Sequence, residues 1–212
     1  MRIRITFAKT GALRYIGHLD LHKLWERSSR RANLALMYSQ GFHPQPKIQL
    51  ASALPLGFSS RCELVDLWID GEVDLPALPG QLAKAVPPGL GILAIENVEE
   101  KGPPLQTQVI SAEYEVTLLN ETNPEWLTQR ITDCLQTESL PRERRGKAYE
   151  LRPLIEAISL IDPDPEGHTR LLLQLTAREG ATGRPEEVLD VLSIPYEDTR
   201  VERCRFLFKD NQ

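Results

Sequence analysis

The spacing of hydrophobic residues changes several times along the first hundred residues. Residues 2–7 alternate between polar and apolar side chains, which is typical of a strand with one buried face. Between residues 18 and 33 the apolar positions recur at the 3.6-residue period of an amphipathic helix. Two prolines exclude a helix at 38–46, which is predicted to be a loop. The pattern further predicts strands at 47–54, 62–70 and 90–98, and a helix at 78–86.

The second half repeats this order of elements. It predicts strands at 114–118, 149–161, 170–177 and 201–208, and helices at 124–136 and 185–192. The predicted fold class is therefore α+β, with two tandem ferredoxin-like (β-α-β-β-α-β) halves and antiparallel sheets. Residues 99–104 contain two prolines and three charged residues, a composition typical of an extended linker. We therefore predict domains at 1–100 and 110–212.

Composition narrows the class of protein. Charged residues make up 26% and hydrophobic residues 41%, close to the globular average. No apolar run approaches the roughly 18 residues that cross a bilayer, and the start of the chain lacks the apolar core of a signal peptide. A cytoplasmic protein without a membrane partner is predicted. Cys62, Cys134 and Cys204 form no paired spacing, so we expect no disulfide framework, metal or other cofactor.

Charge is unevenly distributed along the chain. The net charge is -5, but residues 1–50 hold nine Lys or Arg against two acidic residues. A locally basic segment in an acidic chain predicts one anionic partner at one place. The alternative is a helix face that is merely solvated.

Two short regions of the first half offer candidate chemistry. His18 could bind an anion at the predicted helix start or act as a general acid or base. Asp20 falls in the first turn, where a carboxylate also offsets the helix dipole. His18 and His22 are one turn apart, but no third metal ligand is evident nearby, so no metal site is predicted. The loop at 38–47 combines glycine and prolines with hydrogen-bonding side chains, which is typical of a binding loop.

A third region, Arg142 to Lys147, places basic residues around Gly146, a pattern that suits phosphate contact and also a solvated loop. These regions and the basic residues near them in the sequence give the candidate binding residues Lys9, His18, Asp20, Arg30, Arg31, Ser39, Gln40, Gly41, His43, Lys47, Arg145, Lys147 and Arg152.

Several motifs resemble one bacterial family. RYIGHLD at 14–20, YSQGF at 38–42 and ALPLG at 53–57 are similar to motifs of the radical-SAM-linked bacterial domain family of unknown function. The resemblance implies a radical SAM protein as partner, fused or separate, and a role in RNA modification or ribosome maturation. This chain has no C-x-x-x-C-x-x-C triad, so an iron–sulfur cluster would belong to that partner.

Three functions follow as alternatives. The leading one is an accessory RNA-binding domain, for tRNA or rRNA, that works with a radical SAM enzyme and has no catalytic activity of its own. The second is an RNA-processing or RNA-modifying enzyme in which His18 or His43 is the general acid or base. The third is a protein-binding adaptor.

Overall fold

The structure, a computed structural model, describes residues 1–144, 146–178 and 180–209. The chain divides into two compact units, Met1–Gln108 and Val109–Gln212. Each contains helices and an antiparallel sheet, which confirms the α+β class. Among the described residues, no helix has the length and apolar character needed to span a membrane.

Unit 1 (Met1–Gln108) is built on a four-stranded sheet. Its strands are β1 (Arg2–Lys9), β2 (Ile48–Leu50), β3 (Ser59–Trp68) and β4 (Leu90–Val98), and its α-helices are α1 (His18–Arg31), α2 (Leu78–Ala85) and the short α3 (Leu105–Gln108). The strand order is β4-β1-β3-β2 and every neighbouring pair is antiparallel. The register of β1 against β3 runs from Arg2 opposite Trp68 to Lys9 opposite Ser60.

The core of unit 1 is formed by the apolar residues that alternate along β1 and by those that recur every 3.6 residues along α1. Alternate residues of β1, namely Ile3, Ile5 and Phe7, are fully buried. Trp25 of α1 packs edge-on against Phe7, with ring centroids 4.9 Å apart. Burying an apolar side chain of this size contributes roughly 1.5–3 kcal/mol, so this stripe fixes α1 on one face of the sheet.

The opposite face of β1 carries arginines that are not solvated. Asp66 of β3 is completely buried and accepts hydrogen bonds from Arg2 at 2.6 Å and from Arg4 at 2.9 Å. Trp68 covers the Arg2 guanidinium at 4.7 Å from the ring centroid. The alternation at residues 2–7 thus corresponds to a strand that is covered on both faces. The apolar face packs in the core, and the polar face takes part in an internal ion-pair network.

Residues 99–104 were predicted to form an extended linker, and that prediction is wrong. The Arg2 guanidinium donates to the carbonyl oxygens of Gly102 and Pro103, both at 3.0 Å. The backbone N–H of Leu105, which is fully buried, donates to the Gln49 side chain at 3.1 Å. Because Gln49 and Asp66 are register partners, this segment covers the sheet face that α1 and α2 leave open.

Unit 2 (Val109–Gln212) has a comparable order of elements. Its strands are β5 (Val109–Leu118), β6 (Pro141–Arg144), β7 (Lys147–Glu150), β8 (Ile155–Ile161), β9 (Arg170–Arg178), β10 (Ala181–Thr182) and β11 (Thr199–Phe208), and its α-helices are α4 (Pro124–Gln136) and α5 (Pro185–Val191). The main strands are ordered β11-β5-β9-β8, again antiparallel. The basic region at 141–147 is predicted from its sequence to be a loop, but residues 141–144 form β6 and Lys147 begins β7, and these two strands pair as an antiparallel hairpin.

Candidate nucleic-acid interface

The candidate residues of unit 1 lie at two opposite ends of its sheet. Arg2 and Lys9, at the two ends of β1, are about 23 Å apart at roughly 3.3 Å per residue. Lys9 donates to the carbonyl of Ile16, just before α1 begins. At the other end, Met37 donates to the carbonyl of Trp68 after α1 has ended. The start of α1 is therefore separated from the loop that follows its end.

At the starting end of α1, the three candidates have different environments. Lys9 is 1% exposed, and its ammonium group donates to the Ile16 carbonyl at 3.2 Å. This contact holds the turn that enters α1 and removes Lys9 from the surface. His18 and Asp20 are exposed in the first helical turn, and the N-cap Gly17 has no side chain to satisfy the free backbone N–H groups. Asp20 is thus placed to offset the helix dipole.

The outer face of α1 carries a row of cations, here called the basic ridge: Lys23, Arg27, Arg30 and Arg31. Arg30 pairs with Glu26 one turn earlier, at 2.9 Å. Arg31 approaches the carbonyl of Ala85 at the end of α2, at 3.5 Å. Among the described residues, Lys23 and Arg27 have no ion-pair or hydrogen-bond partner for their side chains. The ridge therefore keeps positive charge that is not neutralised within unit 1.

The segment between α1 and β2 forms a closed loop, here called the recognition loop (residues 38–47). Lys47 donates its backbone N–H to the Met37 carbonyl at 2.8 Å. Ser39 and Gln45 are joined twice, by Ser39 N–H to the Gln45 carbonyl at 2.8 Å and by Gln45 N–H to the Ser39 hydroxyl at 2.9 Å. Ser39, predicted to contact a ligand, thus closes the loop itself.

The tip of the recognition loop projects into solvent. Gln40, Gly41 and His43 are exposed, as is Lys47 at its base. Gly41 has φ +131°, a backbone conformation that other residues rarely adopt. Phe42 beside it is 102% exposed. Arg30 and Arg31 lie at the end of α1 that leads into this loop, so these candidates share one end of unit 1.

The candidates of unit 2 separate into exposed and structural residues. Lys147 is exposed in the β6–β7 hairpin, and Arg145 lies outside the described residues. Arg152 donates to the Leu135 carbonyl at 2.9 and 3.2 Å and to the Ile155 carbonyl at 3.0 Å. Because Leu135 is in the last turn of α4, Arg152 fastens the end of that helix and has little freedom for a ligand.

Unit 2 also contains a polar cavity that was not predicted from the sequence. It has a volume of about 690 Å³ and is lined by residues 119–123 and 166–169. His168 Nδ1 lies 2.9 Å from Asp164 Oδ2. Burial tends to raise the pKa of the Asp164 carboxyl, but hydrogen bonds from His168 and Glu166 outweigh it and lower the pKa. The only signal in the sequence was an Asp and a His four residues apart in a glycine turn, a common pattern.

The same three side chains are close enough to share a cation. The ligand atoms of Asp164, Glu166 and His168 all lie within 4.8 Å of one another. The Asp164 carboxylate also accepts the backbone N–H groups of Glu166 and His168, at 3.0 and 2.8 Å. These internal hydrogen bonds account for the cluster as part of the turn.

A solved structure resembles this chain in its fold. A chain of "Crystal Structure of a Cbf5-Nop10-Gar1 Complex" is similar over 99% of this chain, with a TM-score of 0.53 and 10% identity. The match covers 50% of that chain, so this protein spans about half its length. At this identity the likeness concerns the fold alone.

Two other structures match with TM-scores that are too low to carry an argument. "Crystal Structure of an Unknown Protein from Galdieria sulphuraria" has a TM-score of 0.28 and 13% identity, covering 97% of this chain and 98% of that one. "Crystal structure of putative glycine cleavage system transcriptional repressor" has a TM-score of 0.24 and 11% identity, covering 98% of both chains.

Sequence comparison identifies the family. No curated protein matches this sequence significantly. A family model, in contrast, matches residues 2–185, which include all of unit 1 except Met1 and most of unit 2. The match agrees with the resemblance of motifs 14–20, 38–42 and 53–57 to a bacterial family of unknown function, while the radical SAM link stays a prediction. The chain belongs to the family described as "Uncharacterized protein conserved in bacteria (DUF2344)".

Proposed function

We propose that this protein is an RNA-binding module whose principal contact surface is the basic ridge of unit 1. The observation that carries the proposal is the exposure of Lys23 and Arg27 on adjacent turns of α1 without a partner in unit 1. Residues four apart on a helix have Cβ atoms about 5–6 Å apart, so the two cations present a compact pair of charges. Binding a polyanion there releases counterions, which is the main source of affinity for nucleic acids.

The choice of RNA and of a partner rests on the family resemblance. That resemblance implies RNA modification or ribosome maturation, and hence tRNA or rRNA as the ligand. A radical SAM protein, fused or separate, would supply the chemistry, and this chain would hold the substrate. Such a division of labour suits a chain whose cysteines have no cluster-binding spacing.

The proposed architecture is a pair of ferredoxin-like halves. The strand order is β4-β1-β3-β2 in unit 1 and β11-β5-β9-β8 in unit 2. Both orders correspond to the split βαβ arrangement, in which the first and third of the four strands, in chain order, are central. RNA-recognition domains use sheets of this kind. In unit 1, however, residues 99–108 cover part of the free sheet face, which favours α1 as the binding surface.

A binding role accounts for the histidines better than catalysis does. His43 is exposed and, among the described residues, has no hydrogen-bond partner to fix its ring. A general acid or base needs a defined position relative to the reacting atom. His18 lies at the opposite end of unit 1 from His43, so the two do not form one catalytic pair.

The test is a binding titration with tRNA and with a short single-stranded RNA at several salt concentrations. A Lys23→Ala/Arg27→Ala variant should bind at least about fivefold more weakly at low salt. Its slope of log affinity against log salt should fall by about 1.4 for the single strand, because each lost contact removes about 0.7. Lys101→Ala, which removes an exposed cation from residues 99–108, is the matched control and should bind like the wild type.

Two outcomes would contradict the proposal. The first is a wild-type protein that binds neither RNA at low salt, which would favour the protein-adaptor alternative. The second is a double variant that binds as tightly as the Lys101→Ala control.

A further inference from the structure

The recognition loop holds a large apolar side chain away from any core. Phe42 is 102% exposed, although burying a phenylalanine would contribute roughly 1.5–3 kcal/mol. The loop around it is closed by the paired hydrogen bonds of Ser39 and Gln45. A phenylalanine that remains in water on a closed loop indicates a contact made outside this chain.

The backbone of the loop is constrained to present that side chain. A bridge between Tyr38 and Pro46 and the Lys47 to Met37 hydrogen bond hold the base of the loop. Gly41 adopts φ +131° directly before Phe42, and Pro44 follows two residues later with a fixed φ. The loop therefore loses little conformational freedom when Phe42 meets a partner, and such preorganisation favours binding.

The surroundings of Phe42 favour a nucleobase over an apolar protein surface. Its loop neighbours Gln40, His43, Gln45 and Lys47 are polar or cationic and exposed. Protein docking sites are contiguous apolar patches, whereas the two exposed aromatic residues of the loop, Tyr38 and Phe42, are interspersed with hydrogen-bonding residues. An unpaired base has an apolar face and polar edges, and it is attached to phosphates, so it matches a ring, amides and a lysine together.

We propose that Phe42 stacks on an unpaired base, so that the recognition loop selects single-stranded RNA or an RNA loop over a duplex. This inference rests on the proposed RNA-binding function and names the form of RNA that is bound. In a duplex each base is already stacked and its face is inaccessible. A duplex can therefore contact only the basic ridge, while a single strand engages both the ridge and Phe42.

The experiment compares wild type, Phe42→Ala and Phe42→Trp on one RNA of about 12 nucleotides, alone and annealed to its complement. Stacking on an aromatic contributes about 1–3 kcal/mol per base, so Phe42→Ala should weaken single-strand binding about 5- to 150-fold. Duplex binding should change less than about twofold, and Phe42→Trp should retain single-strand affinity. Leu93→Ala, which removes an exposed apolar side chain from β4, should have no effect.

A spectroscopic readout separates stacking from a general effect on affinity. A 2-aminopurine placed in the single strand should lose fluorescence when the wild type binds, and should lose much less at saturation with Phe42→Ala. The urea midpoint of each variant should match the wild type, because an exposed side chain stabilises little.

The outcomes distinguish this inference from the proposed function. If the wild type binds RNA but Phe42→Ala binds the single strand equally well, the stacking inference is wrong and the RNA-binding proposal stands. If Phe42→Ala weakens single strand and duplex to the same extent, Phe42 shapes the loop and the inference is also wrong. A wild type that binds no RNA contradicts both.

Discussion

Two groups of cations from the first fifty residues lie in opposite environments. Arg2, Arg4 and Lys9 project from β1 into hydrogen-bonded interior positions, and Arg2 and Lys9 are each 1% exposed. The basic ridge lies on the solvent side of α1. A count of charges cannot separate these groups, although one holds the fold together and the other is available to a ligand.

The difference arises from what each group meets. Asp66 and the carbonyls of residues 99–103 provide Arg2 and Arg4 with acceptors in a low-dielectric interior, where an unpaired charge costs several kcal/mol. An exposed cation is hydrated by water, and its ion pairs contribute only about 0–1 kcal/mol. Inward charges should therefore control stability, and outward charges should control binding.

The largest effect on stability is expected when the buried carboxylate that pairs with Arg2 and Arg4 is removed. Asp66→Ala leaves two guanidinium groups without their carboxylate, so the free energy of unfolding should fall by about 3–5 kcal/mol. Urea denaturation followed by circular dichroism measures this change. Asp70→Ala, which removes an exposed carboxylate just beyond β3, is the control and should change stability by less than about 0.5 kcal/mol. Equal stabilities of the two variants would refute the internal role of Asp66.

Unit 2 also contains one cation with internal hydrogen bonds, Arg152, and one exposed cation, Lys147. Arg152→Ala should lower the free energy of unfolding by about 1.5–3 kcal/mol, because its charged hydrogen bonds to Leu135 and Ile155 are lost. Its RNA affinity, measured under conditions in which it is folded, should equal that of the wild type. Lys147→Ala should instead bind RNA more weakly than the wild type, with its free energy of unfolding unchanged. An RNA-binding defect in folded Arg152→Ala would return Arg152 to the list of ligand contacts.

The third prediction concerns an acidic residue. Burial tends to raise the pKa of the Glu156 carboxyl, but hydrogen bonds from Ser111, Gln174 and Thr176 outweigh it and lower the pKa below the ordinary 4.5. A lowered pKa in the folded state adds stability above the unfolded-state value, and this is lost as the pH falls through the folded-state value. Wild type should therefore be more stable than Glu156→Gln at pH 7, with the difference shrinking below about pH 4.5. Parallel stability curves from pH 7 to pH 3 would contradict this.

The smallest effect on stability is expected for the cations of the basic ridge. Arg27→Ala should change the free energy of unfolding by less than about 0.5 kcal/mol. In the same preparation, the salt slope of RNA binding should fall by about 0.7. Thermal denaturation and a salt titration of one sample test both expectations, and a large loss of stability would show that Arg27 is a structural residue.

Regular hydrophobic periods made much of the fold predictable from the sequence. The 3.6-residue period gave the start of α1 at His18 and its end within two residues, and Pro124 marked the start of α4. The β6–β7 hairpin was missed because its residues are mostly polar and show no alternation. The role of residues 99–104 was missed because their contacts to Arg2 use backbone carbonyls, which leave no trace in side-chain composition.

The candidate site was predictable only in part, for a similar reason. Glycine and prolines at 38–47 indicated an ordered loop, and the charge of α1 was visible in its sequence. Which cations are buried depends on long-range partners such as Asp66, which is 64 residues from Arg2. The cavity beside His168 depends on two chain segments, 119–123 and 166–169, that come together only on folding.

The contacts of Arg2 also determine where the chain can be cut. A fragment that ends at Val98 would retain all four strands of unit 1, yet it would remove the carbonyls of Glu99, Gly102 and Pro103 that receive the Arg2 guanidinium. A fragment that ends at Gln108 would keep them, together with the buried Leu105. Gene truncations at the proline-rich stretch should thus yield aggregating or protease-sensitive products. Truncation ten residues later keeps Asp66 and the three carbonyl acceptors of the buried arginine within the same polypeptide.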